Sequence, residues 1–348
     1  MPIEKVSFEE SLGRSVLPDN CIGCATCVIV CPFKCLDYED GKPTLVKECK
    51  VCGICAQVCP KFDVQMSKLE SFLFGRERAA EEEFGISRRV LIAQTTDERI
   101  RKVCQDGGVV TALLVQALNN GMIDGAVVSG VSDEEPLRPV PRLALTVDDL
   151  LACAGTRYTY SPNMLALGEA VQRKSGNLAF VGTPCQINAI RKMQMVPLRK
   201  FSSAVKVLIG LFCSESFTYE GFVKNCIQEE LGVDPSDVEK INIKGKVLVK
   251  TNSGETKAIP LEKTEKHVSN CALCPDFSAE LADISVGGLG LEGWTLTIIR
   301  TERGEELFQR AESARTLNVR SVEKEKKILD LLARISRRKR RNTTKASF

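Results

Sequence analysis

Cys21-Ile-Gly-Cys24-Ala-Thr-Cys27-Val-Ile-Val-Cys31-Pro32 and Cys49-Lys-Val-Cys52-Gly-Ile-Cys55-Ala-Gln-Val-Cys59-Pro60 are two copies of one pattern, C-x2-C-x2-C-x3-C-P. The three close cysteines of each copy wrap three irons of one cubane. The fourth, set on by three residues and stopped by proline, reaches the other cluster. The spacing therefore assigns Cys21, Cys24, Cys27 and Cys59 to one [4Fe–4S] cluster, and Cys49, Cys52, Cys55 and Cys31 to a second. The alternative is a pair of zinc knuckles, but zinc wants four ligands at each of two separate points and leaves the Cys-Pro endings without a role. Cys35 falls just outside the repeat.

Working outward, the repeat marks residues 1–65 as a small ferredoxin-type α+β module. A chain of 348 residues exceeds one ordinary core, so two or three domains are expected. At 43% hydrophobic and 27% charged residues the composition is that of a globular protein, and a net charge of +3 excludes a nucleic-acid polycation. Sixteen cysteines follow a polar N-terminus with no apolar leader, which favours thiolate–metal ligation in a reducing cytoplasm over disulfides. No apolar run approaches the roughly 18 residues that cross a bilayer. A membrane role would therefore be peripheral, through a partner on the cytoplasmic side. The single histidine, His267, argues against a His-ligated metal or a His-based triad.

Residues 66–103 are polar and read as a connector, and from Cys104 strands and helices alternate, predicting a larger α/β domain over 104–305. Asp106-Gly107-Gly108-Val109-Val-Thr111 opens an apolar helix that ends at Asn119-Asn120-Gly121. Paired glycines there let a phosphate approach exposed N–H groups, or simply let the helix pack closely. A strand over Gly125–Val131 and a helix over Val147–Ala152 follow. Gly155-Thr156-Arg157-Tyr158 then offers a hydroxyl, a guanidinium and a ring, suited to a phosphate and a heterocycle or to a surface turn.

Leu178–Gly182 is a short strand, Thr183 and Pro184 are an N-cap and first-turn pair, and Cys185 opens the next helix. Cys213 ends the strand Val205–Phe212. Strand–helix–strand predicts parallel neighbours, placing both thiols at carboxyl ends, where open α/β sheets bind ligands. With Cys271 and Cys274 they could hold a third [4Fe–4S] cluster or a structural zinc, unless Cys185 and Cys213 are small core residues. Cys104, Cys153 and Cys226 read as core.

Gly288-Leu-Gly290-Leu-Glu-Gly293 matches G-x-G-x-x-G, but the alternating, β-branched Trp294–Arg300 follows where a helix is required. A glycine-rich hairpin is expected, not a dinucleotide site. Residues 306–348 form a helical tail ending in Arg337-Arg338-Lys339-Arg340-Arg341, which reads as solvated or as docking to an acidic partner or anionic headgroups.

Several segments together resemble the coenzyme F420 hydrogenase/dehydrogenase beta-subunit family. They are Gly107-Gly108-Val109-Val-Thr111, Gly155-Thr156-Arg157-Tyr158, Val181-Gly-Thr183-Pro184-Cys185-Gln186, Leu211-Phe-Cys213, Cys271-x2-Cys274-Pro275 and Ala282–Gly287, spanning about residues 100–305. The resemblance implies one FAD, a third [4Fe–4S] cluster on Cys185, Cys213, Cys271 and Cys274, and a deazaflavin site facing the flavin. FAD contacts would come from Gly107, Gly108, Val109, Thr111, Gly155, Thr156, Arg157 and Tyr158, with Thr183 and Pro184 completing the cofactor site. The anionic F420 tail needs cations, for which Arg157, Arg191 and Lys192 are the nearby candidates. A hydride from reduced F420 would pass to FAD and leave as single electrons through the clusters, with no catalytic side chain required. The acceptor would be a membrane F420H2 dehydrogenase, a heterodisulfide reductase or hydrogenase subunits. Two other readings remain open: a flavoenzyme with another donor, and a cluster-bearing adaptor without flavin.

Overall fold

Each cysteine repeat folds into one short helix, α1 (Thr26–Val30) and α2 (Ile54–Val58). The computed structural model describes residues 3–346 apart from 197, 269, 272 and 273. Cys31 and Cys59 end their helices with φ near −65° and extended ψ, and the prolines that follow stop further winding. Ala25 and Gly53 start the two helices in the left-handed region, at φ 63° and 72°. Only the second position excludes a side chain: a Cβ on Gly53 would lie 1.8 Å from the Glu4 carbonyl oxygen. An antiparallel hairpin of β1 (Leu36–Glu39) and β2 (Lys42–Leu45) completes the module.

Next come α3 (Met66–Phe74), β3 (Arg89–Thr95), α4 (Glu98–Val103), α5 (Val109–Asn119), β4 (Gly125–Val131), β5 (Pro139–Ala144), α6 (Val147–Ala152) and α7 (Met164–Gln172). After them run β6 (Leu178–Gly182), α8 (Pro184–Met195), α9 (Arg199–Ser202), β7 (Val205–Leu211), a wide helical segment over Glu220–Glu230, and β8 (Val238–Ile243), β9 (Lys246–Thr251) and β10 (Thr256–Pro260). The chain closes with α10 (Leu261–Thr264), β11 (Ile284–Gly287), β12 (Thr295–Ile299), α11 (Glu302–Ser313), β13 (Leu317–Ser321) and α12 (Lys326–Ala346).

Eight strands form the main sheet in the order β13-β3-β12-β11-β7-β6-β4-β5. Its centre, β11-β7-β6-β4, is parallel, and antiparallel strands flank it on both sides. The fold is thus mixed α/β, as expected. β8–β10 form a separate antiparallel sheet. One face of the main sheet packs on α5, α6 and α11 through Leu113, Val128, Ile209, Ile284 and Leu307. The other packs on α7 and α8, and here Val30 and Val58 bring both ferredoxin helices into the same core.

Two expectations change. The segment expected to be a connector supplies β3, which lies between β13 and β12, so it is part of the sheet. Arg300, 1% exposed, clamps it by donating to the carbonyls of Ile86 (2.8 Å) and Phe84 (3.1 Å). The tail likewise contributes β13, and α12 lies against the body: Leu332 is fully buried with Phe277, Leu296 and Ile298. The glycine-rich run Gly288–Gly293 joins β11 to an antiparallel strand, as a hairpin connection should.

Candidate functional site

The N-terminal repeat holds two spaces lined by thiols. The first is bounded by Cys21, Cys24, Cys27 and Cys59 with Leu12, Val16, Ile22 and Lys61. The second is bounded by Cys31, Cys49, Cys52 and Cys55 with Phe8, Leu36 and Ile54. The fourth cysteine of each repeat has crossed to the other copy's cage. Among the described residues, no three His, Cys, Asp or Glu side chains converge on a point that would hold a single metal ion. An all-thiol donor set around an enclosed apolar volume fits a cubane.

Peptide N–H groups are aimed at the sulfurs. Phe8 donates to Cys49 Sγ and Cys35 to Cys31 Sγ, each at 3.3 Å. Cys35 also lines the second cage, its own thiol donating to the Glu48 carbonyl at 3.2 Å. Burial pushes the thiols up, Cys59 to about 11 and Cys55 to about 12, so they are protonated at neutral pH until a metal displaces the proton. The first cage lies deeper: Cys24, Cys27 and Cys59 are buried. The second is nearer the surface, with Cys31, Cys49 and Cys52 half-buried and Phe33, Val46 and Val51 exposed around it.

The third cysteine set is also gathered. β6 and β7 are parallel neighbours, and Cys185 and Cys213 lie just beyond their carboxyl ends. Cys213 donates its N–H to Phe277 at 2.9 Å, which ties it to the segment that follows Cys271 and Cys274. The four thiols feel one another's charge: Cys274 and Cys271 act on Cys185, and Cys271, Cys185 and Cys274 act on Cys213. Burial pushes Cys185 up to about 11. Thr183 and Pro184 belong to this corner, the Thr183 hydroxyl lying 3.2 Å from Cys185 Sγ while its N–H donates to the Gln186 side chain at 3.1 Å.

This set adjoins the first cage. The hydroxyl of the half-buried Tyr160 is 3.9 Å from Cys185 Sγ, and the charge of Cys185 is felt at Cys24. Lys192, 5% exposed, pins the two bodies together by donating to the carbonyls of Cys59 (2.8 Å) and Phe62 (2.7 Å). The Asn270 amide donates to Cys21 O at 3.0 Å.

The glycine segments meet at the same end of the sheet. Gly107 accepts from Thr95 N–H at 2.7 Å and donates to Thr295 Oγ1 at 3.0 Å. Gly108 takes φ 70°, and a Cβ there would meet Ile100 and Thr95 at 2.9 Å. Among the described residues no side chain caps α5, so the first-turn N–H groups at Val109 and Thr111 have no side-chain acceptor. Asp106, Tyr158 and Lys240 border this opening: Lys240 donates to Gln105 O at 2.7 Å, and Tyr158 OH to Ile241 O at 3.3 Å. Gly155 stands at φ 93°, with Thr156 exposed beside it. Arg157 is turned inward, donating to Ala154 O at 3.1 Å and Gly130 O at 3.4 Å, and burial pulls it below its usual value.

Three cation assignments are corrected by these contacts. Arg191 is buried in an ion pair with Asp283 at 2.9 Å and Lys192 is spent on two carbonyls, so neither reaches a ligand tail. The basic tail is not a free arm either. Lys339 donates to Cys213 O (2.9 Å) and Asp276 O (3.2 Å), Arg340 pairs with Glu280 at 2.9 Å, and Arg337 with Glu83 at 2.5 Å. Sequence reasoning missed Lys61, Tyr160 and Lys339. The stripe Ile328, Leu332, Ser336, Lys339 does run at helical spacing into the basic cluster. Of the cysteines read as core, Cys226 is buried, while Cys104 and Cys153 are half-buried against the sheet.

Comparison with known proteins agrees with this anatomy. The family described as coenzyme F420 hydrogenase/dehydrogenase, beta subunit, matches with its N-terminal part at residues 90–168 and its C-terminal part at 175–325. A 4Fe-4S binding domain matches residues 15–37. The chain is 39% identical to the coenzyme F420 hydrogenase subunit beta of Methanothermobacter thermautotrophicus, over 75% of this chain and 94% of the relative. It is 37% identical to the coenzyme F420-dependent sulfite reductase of Methanocaldococcus jannaschii over 98% of this chain, though it spans only 54% of that protein. A chain in the structure of the F420-reducing [NiFe] hydrogenase complex from Methanosarcina barkeri superimposes with a TM-score of 0.73 at 33% identity, covering 77% of this chain and 94% of that one. No helix among the described residues is long and apolar enough to cross a membrane. By sequence and by fold, this chain belongs to the coenzyme F420 hydrogenase/dehydrogenase beta-subunit family.

Proposed function

We propose that this protein reversibly oxidises reduced coenzyme F420 and delivers the electrons one at a time to a partner complex. The observation that carries the proposal is the succession of sites: anion-ready glycine loops, a four-thiol corner, a buried thiol cage and an outer thiol cage. FAD, when bound, supplies the exchange between hydride and single-electron chemistry, and [4Fe–4S] clusters supply the conduction.

The residues divide the work accordingly. The uncapped first turn of α5, at Gly107, Gly108, Val109 and Thr111, takes the flavin's pyrophosphate, with Gly155, Thr156 and Arg157 at its border. Tyr158 shapes the rim rather than stacking openly, because its ring leans on Phe222 at 6.3 Å. Cys185, Cys213, Cys271 and Cys274 hold the cluster nearest the flavin. Cys21, Cys24, Cys27 and Cys59 hold the next, and Cys31, Cys49, Cys52 and Cys55 the outermost, from which electrons leave. Lys244, exposed and acting on the half-buried Asp106 carboxylate, is the cation available to an anionic tail.

The partner is an acceptor complex of the kind that relatives are named for, a hydrogenase, dehydrogenase or reductase assembly, and the reading places the protein in the cytoplasm or on a cytoplasmic membrane face. The test is dye-linked oxidation by the reconstituted chain. Reduced F420 is expected to reduce a viologen dye, and NADH is not. Turnover with NADH alone would favour a flavoenzyme with another donor; no turnover with either donor would leave an adaptor.

A further inference from the structure

Lys61 is an orphaned cation. Its Nζ is fully buried and, among the described residues, makes no hydrogen bond. It lines the first cage with Cys21 and Cys59, three residues beyond the end of α2. Its charge is felt at Cys21 of that cage. The second cage is lined without it; the lysine there, Lys50, is held by Glu48 at 2.8 Å. Lys192, next to the same cage, is different: both its contacts are carbonyls that fix the packing of α8 against the module. A buried ammonium without an acceptor is costly unless an anion faces it. A cluster with four thiolates is such an anion, and it becomes more negative on reduction.

We propose that Lys61 is a positioning residue for electrons: its charge raises the reduction potential of the first cluster relative to the second, so that the first cluster holds the electron before it passes outward. This rests on the cluster reading above. The step is a one-electron reduction of a cluster, with the flavin as donor and no proton moved at Lys61. An unpaired cation at short range in a low-dielectric site stabilises the added electron. The outer cage, which lies nearer solvent and is not lined by Lys61, is spared.

The experiment is an anaerobic redox titration of the full-length reconstituted chain followed by electron paramagnetic resonance, with iron and sulfide measured on the same samples. Lys61→Gln is expected to lower the midpoint of one cluster and leave the other two where they were; Lys61→Arg is expected to hold all three near the wild-type values. Lys61→Met, which keeps the apolar stem, reports the same loss of charge if the glutamine variant loads poorly. Unmoved midpoints in fully loaded Lys61→Gln, or an equal fall in Lys61→Arg, would overturn the inference. Wild-type protein that takes up no iron at Cys21, Cys24, Cys27 and Cys59 would overturn the cluster reading itself, and this inference with it.

Discussion

Glu280 is 2% exposed and faces Arg78 and Arg340, with Asp276 receiving the Glu280 N–H at 2.9 Å. Burial, reinforced by Asp276, pushes this carboxyl up to about 7 against the pull of the two arginines. A carboxyl raised above its ordinary value of 4.5 binds more protons in the folded chain than in the unfolded one between those two values. Its contribution to stability is therefore complete below the ordinary value and is lost as pH rises through the folded one. The loss is on the order of 2–3 kcal/mol. Glu280→Gln, which cannot ionise, should flatten that decline, as measured by denaturant unfolding at about pH 5 and about pH 8. An unchanged decline would contradict the burial argument. At this scale the sequence was legible where chemistry is local. Eight cysteines in two eleven-residue repeats carry their own geometry, and Thr183-Pro184-Cys185 announces a helix start. Lys61, Tyr160 and Lys339 reach the thiols only through tertiary packing, so no local pattern marks them. Arg191 and Lys192 were misread for the same reason: their partners, Asp283 and Cys59, are 92 and 133 residues away in the chain.

The element that departs furthest from expectation is α12. Its run of five basic residues suggests a solvated arm, yet Leu332, Ser336 and Lys339 are 0%, 0% and 9% exposed. They form one buried stripe, and Lys339 closes the third thiol corner by holding Cys213 O and Asp276 O. Removing residues 336–348 takes away that lysine and the Arg340–Glu280 pair. Glu280 keeps Arg78 but loses Arg340, which should cost less than the roughly 3–5 kcal/mol of a buried pair broken outright. The truncated chain is expected to fall from about twelve irons to about eight, with a lower melting temperature. Full iron content and unchanged stability would return α12 to the role of a free docking arm. The strands behaved differently. Gly125–Val131, Leu178–Gly182 and Val205–Leu211 were legible because a parallel strand buried on both faces is a short apolar run between turn signals. β3 was not, because its flanks are charged and its partners, β12 and β13, lie more than 200 residues on.

At the scale of the whole molecule, the ferredoxin module is built into the larger body. Val30 and Val58 share a core with α7 and α8, and Asn270 and Lys192 bond to the backbone of Cys21 and Cys59. A fixed approach of this kind is what the proposed electron transfer between neighbouring clusters would require. On the proposed function, one chain holds a flavin and three clusters in series. The decisive measurement is anaerobic analysis of iron, acid-labile sulfide, zinc and released flavin in the reconstituted protein. About twelve irons, one FAD and no zinc per chain are expected. About eight irons with no flavin, or zinc in place of the last four irons, would contradict it.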